Sequence, residues 1–255
     1  MTFLSNKITL VTGASRGLGR NTALSIARHG GDVVLTYQRR GDEAQAAVAE
    51  IQAMGRKAVA FQLDTGDIAA FAPFAERLRT ALRETWKRET FDHLVNNAGH
   101  GDYALIEQTT EAQFDGLVNV HFKGVFFLTQ ALLPLIADGG RIVNLSSGLT
   151  RMSHPGYAAY AAVKGAVEIL TVYMAKELGE RGIAVNTVAP GAIETDFGGG
   201  GVRDNPELNK TFAAVTALGR VGLPDDIGPM IAGLLSQDNR WVNAQRIEVS
   251  GGQRI

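Results

Sequence analysis

One rhythm constrains the fold of this chain more than any other feature. Short runs of apolar and β-branched residues alternate with amphipathic stretches from end to end. Strand patterns fall at 7–12, 32–36, 57–61, 92–96, 140–145, 183–188 and 245–249. Helical patterns fill the intervals, at 17–29, 42–54, 67–86, 111–136, 157–180 and 224–236. Several strand runs are nearly continuous in apolar residues, such as Val33-Val34-Leu35 and Ile142-Val143 within 141–145. Runs of that kind suit strands covered on both faces. Repeated βα units imply an α/β fold: a doubly wound, mostly parallel seven-stranded sheet with right-handed crossovers and helices on both faces. At 255 residues the chain is long enough for one large domain of this kind, spanning 1–255, and no linker or internal repeat divides it.

The first βα junction carries chemistry. After the run Lys7–Thr12 come Gly13, Ala14, Ser15, Arg16, Gly17, Leu18 and Gly19, and then a helical pattern. Glycines let the backbone turn tightly and approach a ligand closely. The N–H groups and dipole of the following helix favour a pyrophosphate. The spacing G-x-x-x-G-x-G differs from the common dinucleotide fingerprint, so the segment alone also admits a plain βα turn with packing glycines.

Composition narrows the partners. Net charge is −1 and the basic residues are scattered, which speaks against nucleic acid. Cysteine is absent and the five histidines show no ligand spacing, so neither disulfide nor metal is expected. The apolar stretch 124–137 is broken by Thr129, Gln130 and Pro134 and reads as too short for a bilayer. No signal peptide is visible, and a cytoplasmic location is the expectation.

Tyr160 and Lys164 sit four apart in a helical pattern and so share a face. A free phenol titrates near ~10 and needs a shift of about 3 units, or roughly 4 kcal/mol, to work near neutrality. A neighbouring ammonium lowers it, more so with a second cation at hand. Alone, this pair is common on helix surfaces. Here Thr12-Gly-x-x-x-Gly-x-Gly19, Asn96-Asn97-Ala98-Gly99, Ser147, Tyr160-x-x-x-Lys164 and Pro190-Gly191 occur in that order. Over nearly the whole chain, from about Lys7 to Gly252, this set resembles the short-chain dehydrogenase/reductase family, and within it the 3-oxoacyl-[acyl-carrier-protein] reductase-like ketoreductases.

The resemblance implies a Rossmann-type fold and assigns roles. Ser147 would polarise a carbonyl, being thirteen residues before Tyr160, and Ser146 is its competitor. Tyr160 would be the general acid-base. Lys164 would tune it and hold the nicotinamide ribose. Asn119, an unusual residue for mid-helix, would anchor a water that leads protons to Lys164; the bland alternative is an exposed polar position. Tyr157 is a decoy, with Ala161 where a lysine should follow. Asp64 and Thr65 would lie by adenine, and Asn96, Ala98 and Gly99 by the adenosine ribose, although Asn96 equally suits a sheet-end cap. Pro190, Gly191, Ile193 and Thr195 would receive the carboxamide.

The residue expected to bind a ribose 2′-hydroxyl in an NAD site falls at Tyr37, where there is no carboxylate. Arg39 and Arg40 follow, and Arg16 lies in the glycine turn. Guanidinium groups suit a phosphate dianion. NADP(H) is therefore favoured over NAD(H), with Arg16 and Arg39 the leading ligands.

These readings converge on NADPH-dependent reduction of a ketone or 3-oxoacyl carbonyl to a secondary alcohol. The rivals are an NAD-dependent alcohol dehydrogenase and a nucleotide-sensing regulator without turnover. The Gly-rich segment from Asp196 is expected to form a substrate lid within about 196–215. The patterns at 113–136 and 157–178 are apolar around much of their circumference, which points to a homotetramer or homodimer.

Overall fold

A computed structural model describes residues 2–255. Seven parallel strands form one sheet: β1 (Ile8–Val11), β2 (Asp32–Tyr37), β3 (Ala58–Gln62), β4 (Phe91–Asn96), β5 (Ile136–Leu145), β6 (Ala184–Pro190) and β7 (Arg246–Val249). Their order is β3-β2-β1-β4-β5-β6-β7. The order reverses between β1 and β4, and a crevice opens beyond the carboxyl ends of the strands there.

Alternate residues of each strand enter opposite cores. On one side Val11, Val33, Val95, Val143 and Val188 pack under α1 (Gly17–Arg28), α2 (Gly41–Ala53) and α9 (Pro224–Leu234). On the other, Leu10, Val34, Leu94, Ile142 and Val185 pack under α3 (Phe71–Ala81), α5 (Gly124–Leu132) and α6 (Ala158–Glu177). This two-sided burial explains the unbroken apolar runs in the sequence.

Where the sheet carries polar residues, they are satisfied and they fix strand ends. Asn96 Nδ2 donates to Asn144 Oδ1 at 2.8 Å and to Thr129 Oγ1 at 3.1 Å. Asn144 Nδ2 donates to Thr171 Oγ1 at 2.9 Å, which also accepts from Thr187 Oγ1 at 2.8 Å. A buried network of this kind is costly to break, because each orphaned group loses its partner and gains no water.

Two long helical patterns are interrupted. The stretch expected at 111–136 is α4 (Glu111–Val118), a π-helical turn over Asn119–Lys123, then α5, a short 3₁₀ turn with Pro134, and a strand that begins already at Ile136. The stretch expected at 67–86 is a 3₁₀ turn, α3 and a second π turn, Leu82–Trp86. A π turn inserts a residue into the helix and re-aims the side chains beyond it.

The Gly-rich segment is helical where the sequence suggests irregular chain. Gly198, Gly199 and Gly200 all have positive φ, a conformation that glycine alone adopts freely. They reverse the chain into α7 (Gly201–Asp204). Asn205 then caps α8 (Pro206–Ala214), its Oδ1 accepting from the N–H groups of Glu207 and Leu208 at 3.1 Å.

Candidate active site

A cleft of about 850 Å³ opens at the carboxyl edge of the sheet. At one end the glycine turn forms its floor. Gly13 has φ +63°, and a Cβ there would lie 2.8 Å from Ala98 Cα. A methyl on Gly19 would run into Asn97 Nδ2 and the Gly13 carbonyl. Asn97, in turn, ties the turn down by donating to the carbonyls of Thr12 at 2.8 Å and Gly13 at 3.2 Å. No side chain caps the N-terminus of α1. Its first N–H groups therefore face the cleft as an anion site. Gly19→Ala is expected to weaken NADPH binding about tenfold or more, read by titrating cofactor fluorescence, because backbone and Asn97 must both move.

Most residues singled out in the sequence reach this cleft. Ser15, Arg16, Gly17 and Leu18 line it with the glycines, and Arg39, Asp64, Thr65, Ala98 and Gly99 continue the wall. Ser147, Tyr160 and Lys164 follow, then Pro190, Gly191, Ile193 and Thr195. Two do not reach it. Asn96 is buried in the sheet network described above, which is the cap-like reading of that residue. Tyr37 instead packs its ring against Gly41 at the start of α2.

The arginines differ in their commitments. Arg40 pairs with Glu43 at 2.6 Å, and Arg16 pairs with Asp196 at 2.9 Å. The exposed Arg39 side chain has no ion pair or hydrogen bond among the described residues, and it lines the cleft. It is a guanidinium without an anion. The last residue of β2 is Tyr37 rather than an acid.

At the other end stand the groups with acid-base chemistry. Ser147 lies beside the Tyr160 phenol, where its hydroxyl favours ionisation, and Ser147 Oγ accepts from Leu149 N–H at 3.2 Å. Lys164 Nζ donates to the Leu145 carbonyl at 2.7 Å and lies 5.7 Å from the Tyr160 ring centroid. Ser146, the competitor, is tied to Glu168 at 2.7 Å. Glu168 also accepts from Thr150 Oγ1 and Arg246 Nε, both at 2.8 Å. Neither Glu168 nor Arg246 belongs to a motif. Together they hold the loop that presents Ser147.

Burial governs both titrations. It holds the Tyr160 phenol well above its ordinary value, against the lowering effect of the Ser147 hydrogen bond, and Tyr157 adds to the rise. It pushes the Lys164 ammonium down to about 7. Desolvation is the largest cause for both groups. The phenol is held protonated, as a proton donor must be.

Asn119 lines the same cleft, and its Oδ1 accepts from Lys123 Nζ at 3.1 Å. Residues two apart on a helix do not face the same way. It is His121, unremarked in the sequence, that turns inward against Tyr160, with ring centroids 5.3 Å apart and nearly perpendicular.

Residues 13–254 match the family described as Enoyl-(Acyl carrier protein) reductase. An uncharacterized oxidoreductase of Methylorubrum extorquens is 38% identical over 254 residues, covering all of both chains. A hydroxynaphthalene reductase-like protein, Arp2 of Metarhizium brunneum, is 38% identical over 98% of this chain and 95% of its own. The chain is a short-chain dehydrogenase/reductase. Its solved neighbours in that family include the promiscuous reductase LugOII, which catalyses a keto-reduction in lugdunomycin biosynthesis. It has a TM-score of 0.93 at 38% identity, covering 99% of each chain. The angucycline C-6 ketoreductase LanV, solved with bound NADP, has a TM-score of 0.93 at 35% identity, covering 98% of this chain and 96% of that one. This short-chain dehydrogenase/reductase is an NAD(P)-dependent oxidoreductase acting on CH–OH and C=O groups.

Proposed function

We propose that the protein is an NADPH-dependent ketoreductase whose substrate is a flat, polycyclic aromatic ketone. One observation carries the reaction: a buried Tyr160 stands beside Ser147, with Lys164 Nζ one helical turn away and 5.7 Å from its ring. Bound NADPH supplies the hydride. Ser147 and Tyr160 donate to the carbonyl oxygen, where negative charge develops. Tyr160 then gives up its proton to the new alkoxide. The phenolate left behind is stabilised by the ammonium of Lys164.

The unpaired Arg39 supports NADPH, as does its position beyond a β2 end that has no acid. NADP is also the cofactor bound in LanV. Arg39→Ala is expected to raise the Kd of NADPH about tenfold or more, through loss of a charge-assisted contact. The Kd of NADH should barely move. An equal effect on both would remove Arg39 from the 2′-phosphate site.

The choice of substrate rests on an aromatic cluster that packs beside Tyr160. Tyr157 meets Tyr103 edge-on at 5.6 Å and His154 at 5.8 Å, and His154 reaches Phe212 at 6.1 Å. Phe197 closes on Tyr160 at 5.7 Å. Aromatic faces and edges of this kind favour a planar π system. No Arg or Lys stands among them to demand a carboxylate or phosphate. The relatives point the same way: one is named for hydroxynaphthalene, and LanV is also solved with rabelomycin. The segment from Asp196 to Ala214 is the lid in this reading. Asp196 latches it to Arg16 and Arg203.

Association of copies belongs to the same proposal. The helix spanning Glu111–Leu135 and α6 are each long and apolar enough to cross a bilayer by length and composition. Their inner faces, however, build the core and carry Tyr160 and Lys164. Their outer faces expose Phe114, Phe126, Ile169, Val172 and Tyr173. A homotetramer, or a homodimer, covering these faces in a cytoplasmic setting is the arrangement proposed. A solution mass equal to one chain at micromolar concentration would contradict it.

A further inference from the structure

One carboxylate grips the Ser147 loop from both sides. Tyr160, Lys164 and Glu168 recur every fourth residue along α6 and so share a face. The first two line the cleft, and Glu168 lies one turn beyond it. Glu168 Oε1 accepts from Ser146 Oγ at 2.7 Å and from Thr150 Oγ1 at 2.8 Å. The residues on either side of Ser147 and its turn are thus anchored on a single atom. Arg246 Nε donates to the same oxygen at 2.8 Å, and Arg246 Nη2 reaches Thr150 Oγ1 at 3.0 Å and the Ser147 carbonyl at 3.4 Å. Arg246 is held in turn by Glu248, whose Oε2 accepts from its Nη1 at 3.1 Å. The side chains of Glu168 and Arg246 are only 18% and 26% exposed, so this pair is screened less than one on the open surface. The loop needs such a hold. Ser146 is still fixed by the sheet, its N–H donating to the Val188 carbonyl at 2.8 Å. Beyond it comes one short 3₁₀ turn, Gly148–Thr150, and a single turn does not stabilise itself.

We propose, on the reading of Ser147 as a donor to the substrate oxygen, that Glu168 is a positioning residue for that donor: its carboxylate, with Arg246 as counter-ion, fixes where Ser147 presents its hydroxyl beside Tyr160. Two hydroxyls from two different elements must meet one carbonyl oxygen. Ser147 follows β5, and Tyr160 stands on α6. Hydrogen bonds weaken steeply with misalignment, and a misplacement of about 1 Å can cost about a hundredfold in rate. Glu168 belongs to the helix of Tyr160 and clasps the loop of Ser147. It therefore sets one donor against the other through about two turns of helix. An ionised carboxylate suits this task, because it accepts several hydrogen bonds at once and charge-assisted bonds are the stronger kind. Arg246, arriving from β7, fixes the carboxylate from a third element. Glu168 is placed to act through Ser147 rather than on substrate or cofactor.

The test is a double-mutant cycle between Glu168 and Ser147, read as the single-turnover rate of NADPH oxidation with a ketone that the wild type reduces. Glu168→Leu should slow that step about tenfold or more, with the Kd of NADPH within about twofold of wild type. Glu168→Gln keeps an oxygen for Ser146, Thr150 and Arg246, and should stay within about threefold of the wild-type rate. Ser147→Ala alone should cost about a hundredfold or more. Adding Glu168→Leu to Ser147→Ala should then cost less than about twofold, because a residue that acts through Ser147 has nothing left to place. The same tenfold loss in both backgrounds would make Glu168 a support of the fold or of Tyr160 and overturn the proposal. So would an unchanged rate in Glu168→Leu. Should Glu168→Leu not fold, Thr150→Val takes its place in the cycle. A loss that vanishes without Ser147 then supports the proposal, and a loss that persists, or no loss, refutes it. The Ser147→Ala arm separates the two levels. A wild-type rate there overturns the reading of Ser147 itself, whereas a slow Ser147→Ala beside an unaffected Glu168→Leu overturns only the role of Glu168.

Discussion

Tyr160→Phe is expected to lose about a thousandfold or more in kcat while binding NADPH as tightly as the wild type. The substitution removes one oxygen and leaves the ring, so the contacts with His121 and Phe197 survive. What disappears is the only proton held against the carbonyl oxygen by a phenol that burial keeps protonated. Ser147 remains to polarise the carbonyl but is not placed to lose a proton for good. An alkoxide would then have to be protonated by water at an unassisted barrier. The loss should appear in kcat rather than in KM, because the interaction strengthens only as charge develops. Ketone consumption and stopped-flow cofactor binding, measured on the same preparation, check both halves.

Lys164→Met should fail as a catalyst and gain as a protein. The ammonium is 4% exposed and its hydrogen bond goes to a single carbonyl. In the unfolded chain it titrates near its ordinary ~10.4. Folded, burial brings it to about 7. Between those values the unfolded chain holds a proton that the native chain has released, so native stability rises with pH across that window. Below about 7 the native state carries the full burial cost, on the order of 5 kcal/mol for a shift of this size. Methionine fills similar space without charge and gives back part of that gain by orphaning the Leu145 carbonyl. The net expectation is a Tm higher by several degrees at pH 6 to 7. The difference should shrink as pH approaches 10. The same variant should lose about a hundredfold or more in kcat. A lower Tm at pH 6 would mean that the lysine charge is compensated by partners the structure does not reveal.

Much of this architecture is legible in the chain because burial on both faces of a strand leaves an unbroken apolar run. Val33-Val34-Leu35 and Arg141–Leu145 could hardly be anything else. The helix interruptions are less legible. Nothing local in Asn119–Lys123 announces a π turn, since its residues are acceptable in an α-helix. Yet a signal for His121 was present. Leu117, His121, Val125, Leu128 and Leu132 recur at helical spacing, and all are buried. That stripe points His121 inward and leaves Asn119 off it. The Gly-rich segment shows a different limit: four glycines in succession read as irregular chain, while the positive φ values of the first three make the reversal that starts a helix. Glu168 and Arg246 were invisible for a third reason. Their contacts with each other and with the Ser147 loop span 18 to 99 residues of sequence, and no local pattern encodes such contacts.

The central claim is hydride transfer from NADPH to an aromatic ketone with Tyr160 as acid. It is tested most directly by following loss of reduced-nicotinamide absorbance with NADPH and NADH in parallel. The panel should contain polycyclic aromatic ketones, small aliphatic ketones and a 3-oxoacyl thioester, with Tyr160→Phe as control. NADPH should be consumed in preference to NADH, fastest with the polycyclic ketones and not at all by the variant. Consumption by Tyr160→Phe at the wild-type rate, or a preference for NADH, would contradict it.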